Sequence, residues 1–213
     1  MKSKIATAFI ALGLLSACDQ LKLAPTNSAP TETTFALDGV KYISTAIERG
    51  DDERTFGQRS YTISANARVL LRFESLTANQ SKILSTKPIL IRIFTASATE
   101  QTNAVSNLKA CPILSDWMMA ASWNRAHPYR GGEWQPGAPI EEDDCVAAIT
   151  PSAATGDCAT ANAVCYDVSD WYKHYVVERG LNFGHALASP TGTPVTILGD
   201  GSPSKGPRIQ WSE

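Results

Sequence analysis

The chain has 213 residues, 43% of them hydrophobic and 19% charged, with a formal net charge of −2. That length suits one large domain, or one domain plus a tail. The near balance of charge leaves no basic stripe of the kind nucleic acid requires, so DNA and RNA are set aside as partners.

The chain starts MKSKIATAFIALGLLSACDQ, with Lys2 and Lys4 ahead of an apolar run from Ile5 to Leu15. The run is short for a bilayer span, which takes about 20 apolar residues, and small residues follow it as at an export cleavage site. Leu15-Ser16-Ala17-Cys18 resembles the lipobox of bacterial lipoproteins. The resemblance implies that residues 1–17 are a signal peptide and that Cys18 is lipidated. It places the protein on a membrane of the bacterial cell envelope, periplasmic or surface-exposed. One acyl chain holds a protein only marginally, and such lipoproteins carry more than one. An ordinary secretory signal is the competing reading. Residues 18–34, with Pro25, Pro30 and several threonines but no aromatic residue before the domain, read as a flexible tether.

The domain is expected over residues 35–213. Asp38-Gly39 between two short apolar runs has the form of a hairpin turn. DDERTFGQRS is polar and reads as a loop. ARVLLRF (67–73) and PILIRIF (88–94) carry the strongest strand signals. In the latter, Ile89, Ile91 and Ile93 share one face, with Leu90, Arg92 and Phe94 on the other. NLKACPIL is a further strand, and Ser122–Pro139 is loop with short extended pieces. CVAAITP and AVCYDV are short strands around a small-residue loop. DVSDWYKHYVVERG predicts a helix capped by Asp167 or Ser169, striped by Val168, Trp171, Tyr172, Tyr175 and Val176, and ended by Gly180. HALA, PVTILG and PRIQW follow as strands. Many short strands and one short helix predict an all-β sandwich.

Four cysteines remain beyond Cys18, and export makes two disulfides the expected state of Cys111, Cys145, Cys158 and Cys165. Three pairings are open. Cys158 with Cys165 closes a small-residue loop, which leaves Cys111 with Cys145. The spacings do not form a Cys-x-x-Cys pattern, so a metal site is the weaker alternative.

The order of FGQRS, VLLRFESL, ILIRIF, WMMAASWNRA, EWQPGA, YDVSDWYKHYV, LNFGHALA and GPRIQW resembles the DNRLRE-type, or disaggregatase-related, domain of bacterial and archaeal surface proteins. Trp117–Asn124, Trp134–Gly137, Asp167–Ser169 and Asn182–Gly184 match its motifs, over about Val40 to Trp211. Pro207-Arg208 reverses the usual Arg-Pro, Ser169 stands for the common Thr, and the cysteine-bearing insert from Cys145 to Cys165 departs from the pattern. The resemblance implies a jelly-roll-like sandwich of carbohydrate-binding-module type. Some such modules are non-catalytic and bind uronic-acid polysaccharides.

Acidic sugar calls for flat aromatics and for guanidinium groups that match a carboxylate in a two-bonded fork. Trp134, Arg125, Tyr129 and Arg130 are therefore the candidate ligand-binding residues, with an acidic polysaccharide or cell-wall glycan as the expected partner. Trp117 and Trp123 read mainly as core, and Trp171 as core of the helix stripe. Glu141-Glu142-Asp143-Asp144 reads as a solvated loop, with a structural Ca²⁺ as the alternative; no other cofactor is expected. No catalytic motif is recognisable, and His127, His174 and His185 lack a partner pattern. The expectation is a non-catalytic glycan-binding module, against a structural or protein-interaction module without a sugar site.

Overall fold

The computed structural model of the chain describes residues 34–36, 42–55, 58–73, 88–127, 132–150, 152–154, 156–199, 201–202 and 205–212. The expected signal peptide, Cys18, the expected turn at Asp38-Gly39, Phe56-Gly57, Tyr129 and Arg130 lie outside these residues. No helix among the described residues is long and apolar enough to cross a membrane.

In chain order the strands begin with β1 (Thr34–Ala36), β2 (Tyr42–Glu48), β3 (Asp51–Thr55), β4 (Ser60–Ile63), β5 (Ala67–Phe73) and β6 (Ile89–Phe94). Helix α1 (Ala98–Asn107) follows, then β7 (Lys109–Pro112), β8 (Arg125–His127), β9 (Gly132–Glu133) and β10 (Val146–Ala147). A 3₁₀ turn (Gly156–Ala159) precedes β11 (Ala163–Asp167). Helix α2 comprises an α turn at Ser169–Trp171 that continues as π-helix over Tyr172–Val177. The chain closes with β12 (His185–Ala188), β13 (Val195–Leu198) and β14 (Arg208–Ser212).

Two antiparallel sheets make the sandwich. One has the order β10-β7-β12-β5-β2-β3 and the other β1-β14-β6-β11. Alternation along the strands explains why they pack. Val69, Leu71 and Phe73 of β5 meet Ile89, Ile91 and Ile93 of β6 in one buried cluster, joined by Val164, Tyr166, Leu187 and Ile209. Each such side chain, fully buried, contributes about 1.5–3 kcal/mol of transfer free energy. The β4–β13 ribbon (Tyr61, Ile63, Val195, Ile197), α1 (Ala104) and α2 (Trp171, Tyr172, Val176) complete the same cluster.

A second core lies on the other face of the six-stranded sheet. There Ile47, Leu70 and Ala186 are covered by Ile113, Trp117, Ala121, Trp123, Ala126 and Ala138 from residues 113–140. The molecule thus has a third layer, made of irregular chain.

Three readings of the sequence are corrected and one strand is added. β1 and β2 do not form a hairpin: β1 pairs β14 in one sheet and β2 pairs β5 in the other. An Asp-Gly pair permits a tight turn but cannot hold two strands whose apolar faces belong to different sheets. DDERT is strand β3 rather than loop, as an edge strand next to β2 where charged side chains are tolerated. SYTI is strand β4. A second helix, α1, accompanies the expected one, which itself changes to π geometry after one turn.

The expected helix ends ahead of Gly180, but its N-cap residue is Val168, whose side chain makes no capping bond. Asp167 Oδ1 accepts from the Ser169 N–H at 3.0 Å. Gly180, at φ +67°, donates to Val176 O, the single bond of a left-handed C-terminal end, and Leu181 donates to Tyr175 O.

The four cysteines form the pairs Cys111–Cys145 and Cys158–Cys165. The first ties β7 to the loop before β10. The second holds the 3₁₀ turn on β11, where Asp157 reaches the nearly buried Arg92 at 2.7 Å.

Candidate functional site

The aromatic residues of the 113–140 layer are mostly turned inward. Trp117 is 0% exposed and Trp123 8%. Trp117 donates its indole N–H to Phe183 O at 2.6 Å. Arg72 lies over its ring at 5.2 Å and is paired with Asp116. Trp123 has Arg68 over it at 5.7 Å. Trp171 is 8% exposed and packs on His185 of β12, ring centroids 4.1 Å apart.

Trp134 is half-buried, packed against the second core. Its indole N–H is shared between Ser122 O (3.1 Å) and Trp123 O (3.2 Å), so its polar edge is turned into the layer. Arg125 is exposed on β8, opposite Glu133 of β9, and makes no ion pair among the described residues. Of the four candidate ligand residues, the structure therefore brings Arg125 and Trp134 to one hairpin. Tyr129 and Arg130 belong to the segment between β8 and β9, outside the described residues.

The motif residues behind the family resemblance have local structural work. Pro136-Gly137 places a positive φ of +87° at Gly137, a turn for which proline followed by glycine is suited. A Cβ there would stand 2.9 Å from the Trp123 ring and 3.3 Å from the Arg68 guanidinium carbon. Asn182 donates to Phe73 O at 2.9 Å. Gly184 has φ +81°, and a Cβ would stand 2.0 Å from Leu71 O. Ser169 Oγ accepts from the Ile89 N–H, fastening α2 to β6.

The histidines do not converge. His127 Nε2 lies 3.8 Å from Asp116 Oδ2, and His174 Nδ1 lies 3.2 Å from Glu178 Oε2 on the helix surface. His185 is buried in the sandwich, and desolvation lowers its pKa to about 3, so it is neutral.

The described residues line two clefts of interest. The larger, about 810 Å³, is lined by Asp143, Asp144, Asp167, Asp170, Trp171 and Tyr175 among others. Two of its carboxylates serve the fold: Asp144 accepts from the Tyr175 hydroxyl at 3.0 Å, and Asp167 accepts from the Ser169 N–H at the start of α2. Among the described residues no group of three or more His, Cys, Asp or Glu side chains is placed to hold a metal ion.

The smaller cleft, about 410 Å³, has Arg68, Lys109 and Ala188 on its floor and Ser64, Ser189, Glu142 and the Cys111–Cys145 bridge on its walls. Sequence reading missed it. The available signal was Arg68 and Arg72 on the face of ARVLLRF opposite the core residues.

No family model, curated protein or solved structure matches this chain.

Proposed function

We propose that this chain is a lipid-anchored protein of the bacterial cell envelope whose β-sandwich is a non-catalytic module for acidic polysaccharide, related to the DNRLRE-type domains. The observation that carries the reading is the β8–β9 strand pair: Arg125, exposed and without an ion pair among the described residues, stands beside the half-buried Trp134. An exposed guanidinium suits a carboxylate, and an indole held by its own N–H has less rotamer freedom to lose on binding.

The test is an array carrying alginate, pectin and peptidoglycan fragments, probed with the mature domain. Binding to the uronic-acid polymers is expected, weaker as salt rises because exposed charges are screened within about 8 Å at physiological ionic strength. Arg125→Ala should weaken it without changing the melting temperature. Trp134→Ala should weaken it and also cost about 2 kcal/mol of stability, roughly half the loss for a fully buried Trp.

A structural or protein-interaction module is the second reading. It is favoured by the inward placement of Trp117, Trp123 and Trp171. An array with no glycan bound at any ionic strength would decide for it.

A further inference from the structure

The small cleft is built by strand register. Lys109 pairs with Ala188 across β7–β12, and the β12–β5 register, continued by one residue, sets Ala188 beside Arg68. Lys109, Ala188 and Arg68 therefore form one row across three neighbouring strands, on the face away from the main core. Strands lie about 4.8 Å apart, so the two cationic residues are anchored about 10 Å from each other. The alanine between them leaves the floor open.

Arg68 is half-buried and held in place. Its Nη1 donates to Gly137 O at 2.6 Å and to Ala138 O at 3.2 Å, and the Trp123 ring lies against it. A guanidinium has five N–H donors. Those outside Nη1 make no hydrogen bond among the described residues, and none is sealed from solvent as an unpartnered buried atom. Neither Arg68 nor Lys109 has a carboxylate within ion-pair distance among the described residues, whereas Arg72 and Arg92 each do. Burial lowers the Arg68 pKa, opposed by the charge of Glu142 on the cleft wall. The walls offer hydroxyls as well. Ser64 Oγ accepts from Asn66 N–H, leaving its own hydrogen to donate, and Ser189 Oγ donates to Thr193 O, leaving lone pairs to accept.

We infer that this cleft is a subsite for one carboxylated unit of an acidic saccharide, with Arg68 and Lys109 meeting the carboxylate, Ser64 and Ser189 meeting ring hydroxyls, and the charge of Glu142 on the wall repelling the ligand's. The inference rests on the acidic-polysaccharide reading and adds a second point of charge recognition to the one at Arg125. A half-buried guanidinium held by two backbone carbonyls and a ring, with no carboxylate at ion-pair distance among the described residues, has given up part of its hydration, so an incoming carboxylate gains more there than at an exposed arginine.

The test is titration of the mature domain with a short galacturonate oligomer, its methyl ester and sodium sulfate, followed by calorimetry and by NMR shifts of side-chain N–H groups. The oligomer should bind and its ester should not. Lys109→Gln should lower affinity about 5- to 10-fold, and Glu142→Gln should raise it several-fold. Both positions are at the surface of the fold, which avoids the loss of packing that Arg68→Gln would bring. Oligomer binding that ignores both variants but falls with Arg125→Ala would overturn the cleft and keep the function. Sulfate shifting the Arg68 signals with no oligomer bound would keep an anion site and overturn the saccharide. No response to any of the three probes would overturn both.

Discussion

Gly184 shows how far a single residue is fixed by its surroundings. Its φ of +81° and the 2.0 Å approach a Cβ would make to Leu71 O act together, because neither β12 nor β5 can withdraw from the centre of a six-stranded sheet. Gly184→Ala should cost about 3 kcal/mol or more, read as lost soluble yield or a melting temperature lowered by many degrees. An unchanged melt would mean the strands are less tightly held. His185, next along the chain, makes a pH prediction. Its Nε2 has no hydrogen-bond partner and its pKa lies near 3. The unfolded chain takes up this proton near pH 6.5, while the folded chain refuses it. Stability is therefore intact above pH 6.5 and falls as pH drops toward 3, by on the order of 2–3 kcal/mol at pH 4.5. Urea midpoints at pH 7 and 4.5 should converge in His185→Phe relative to wild type; an equal acid loss in both would assign the effect to other groups. Neither behaviour is legible in the sequence, where Asn182-Phe183-Gly184-His185 gives no depth and no neighbour.

At the scale of elements, the sequence reads well where one face is apolar. β5, β6, β11 and α2 announce themselves because alternation or a helical stripe of large side chains carries each into the main core. α1 was missed for the opposite reason. Its only buried residue is Ala104, and its stripe is thin. Yet Ser97-x-x-Glu100 is a capping-box sequence, and Ser97 Oγ does accept from the Glu100 N–H. The Glu100 carboxylate turns instead to the Thr196 N–H of β13, so the helix is held by an ion-assisted bond more than by burial. β3 was missed because its charged residues suit an edge as well as a loop. The disulfides differ in reach. Cys111–Cys145 spans 34 residues and Cys158–Cys165 spans 7. Loop-closure entropy assigns about 4 kcal/mol to the first and about 2.5 kcal/mol to the second. Replacing the first pair by alanines should thus lower the guanidine midpoint more than replacing the second, and the reverse order would show that the small loop carries native interactions of its own.

Across the whole molecule, the sandwich was legible and the third layer was not. Period-two patterns specify sheets, but the covering of one sheet by residues 113–140 depends on where turns such as Pro136-Gly137 send the chain. The same holds for the cleft: Arg68 and Lys109 are distant in sequence and meet only through the β7–β12–β5 register. The aromatic signal at Trp117, Trp123 and Trp134 was real, and its main use is packing. The proposed anchoring has its own test. Cys18→Ser should move the protein from the membrane fraction to the soluble one, since only this cysteine follows the lipobox-like stretch. A variant that still sediments with membranes would reject the lipoprotein reading.

The pairing of β1 with β14 bears on how the protein responds to force. β1 is three residues long, lies at the edge of its sheet and touches a single strand, with Thr34 opposite Ser212. Tension arriving along the chain ahead of Thr34 reaches this weak contact first. After β1 peels from β14, the next paired strand along the chain is β2, which joins the six-stranded sheet from Tyr42. The roughly 8 residues between span at most about 27 Å when extended, so the lead lengthens by less than that before β2 is loaded. A single-molecule pull on the N-terminus should therefore show a short, low-force extension before the main rupture, a slack that lets a held domain give way without unfolding.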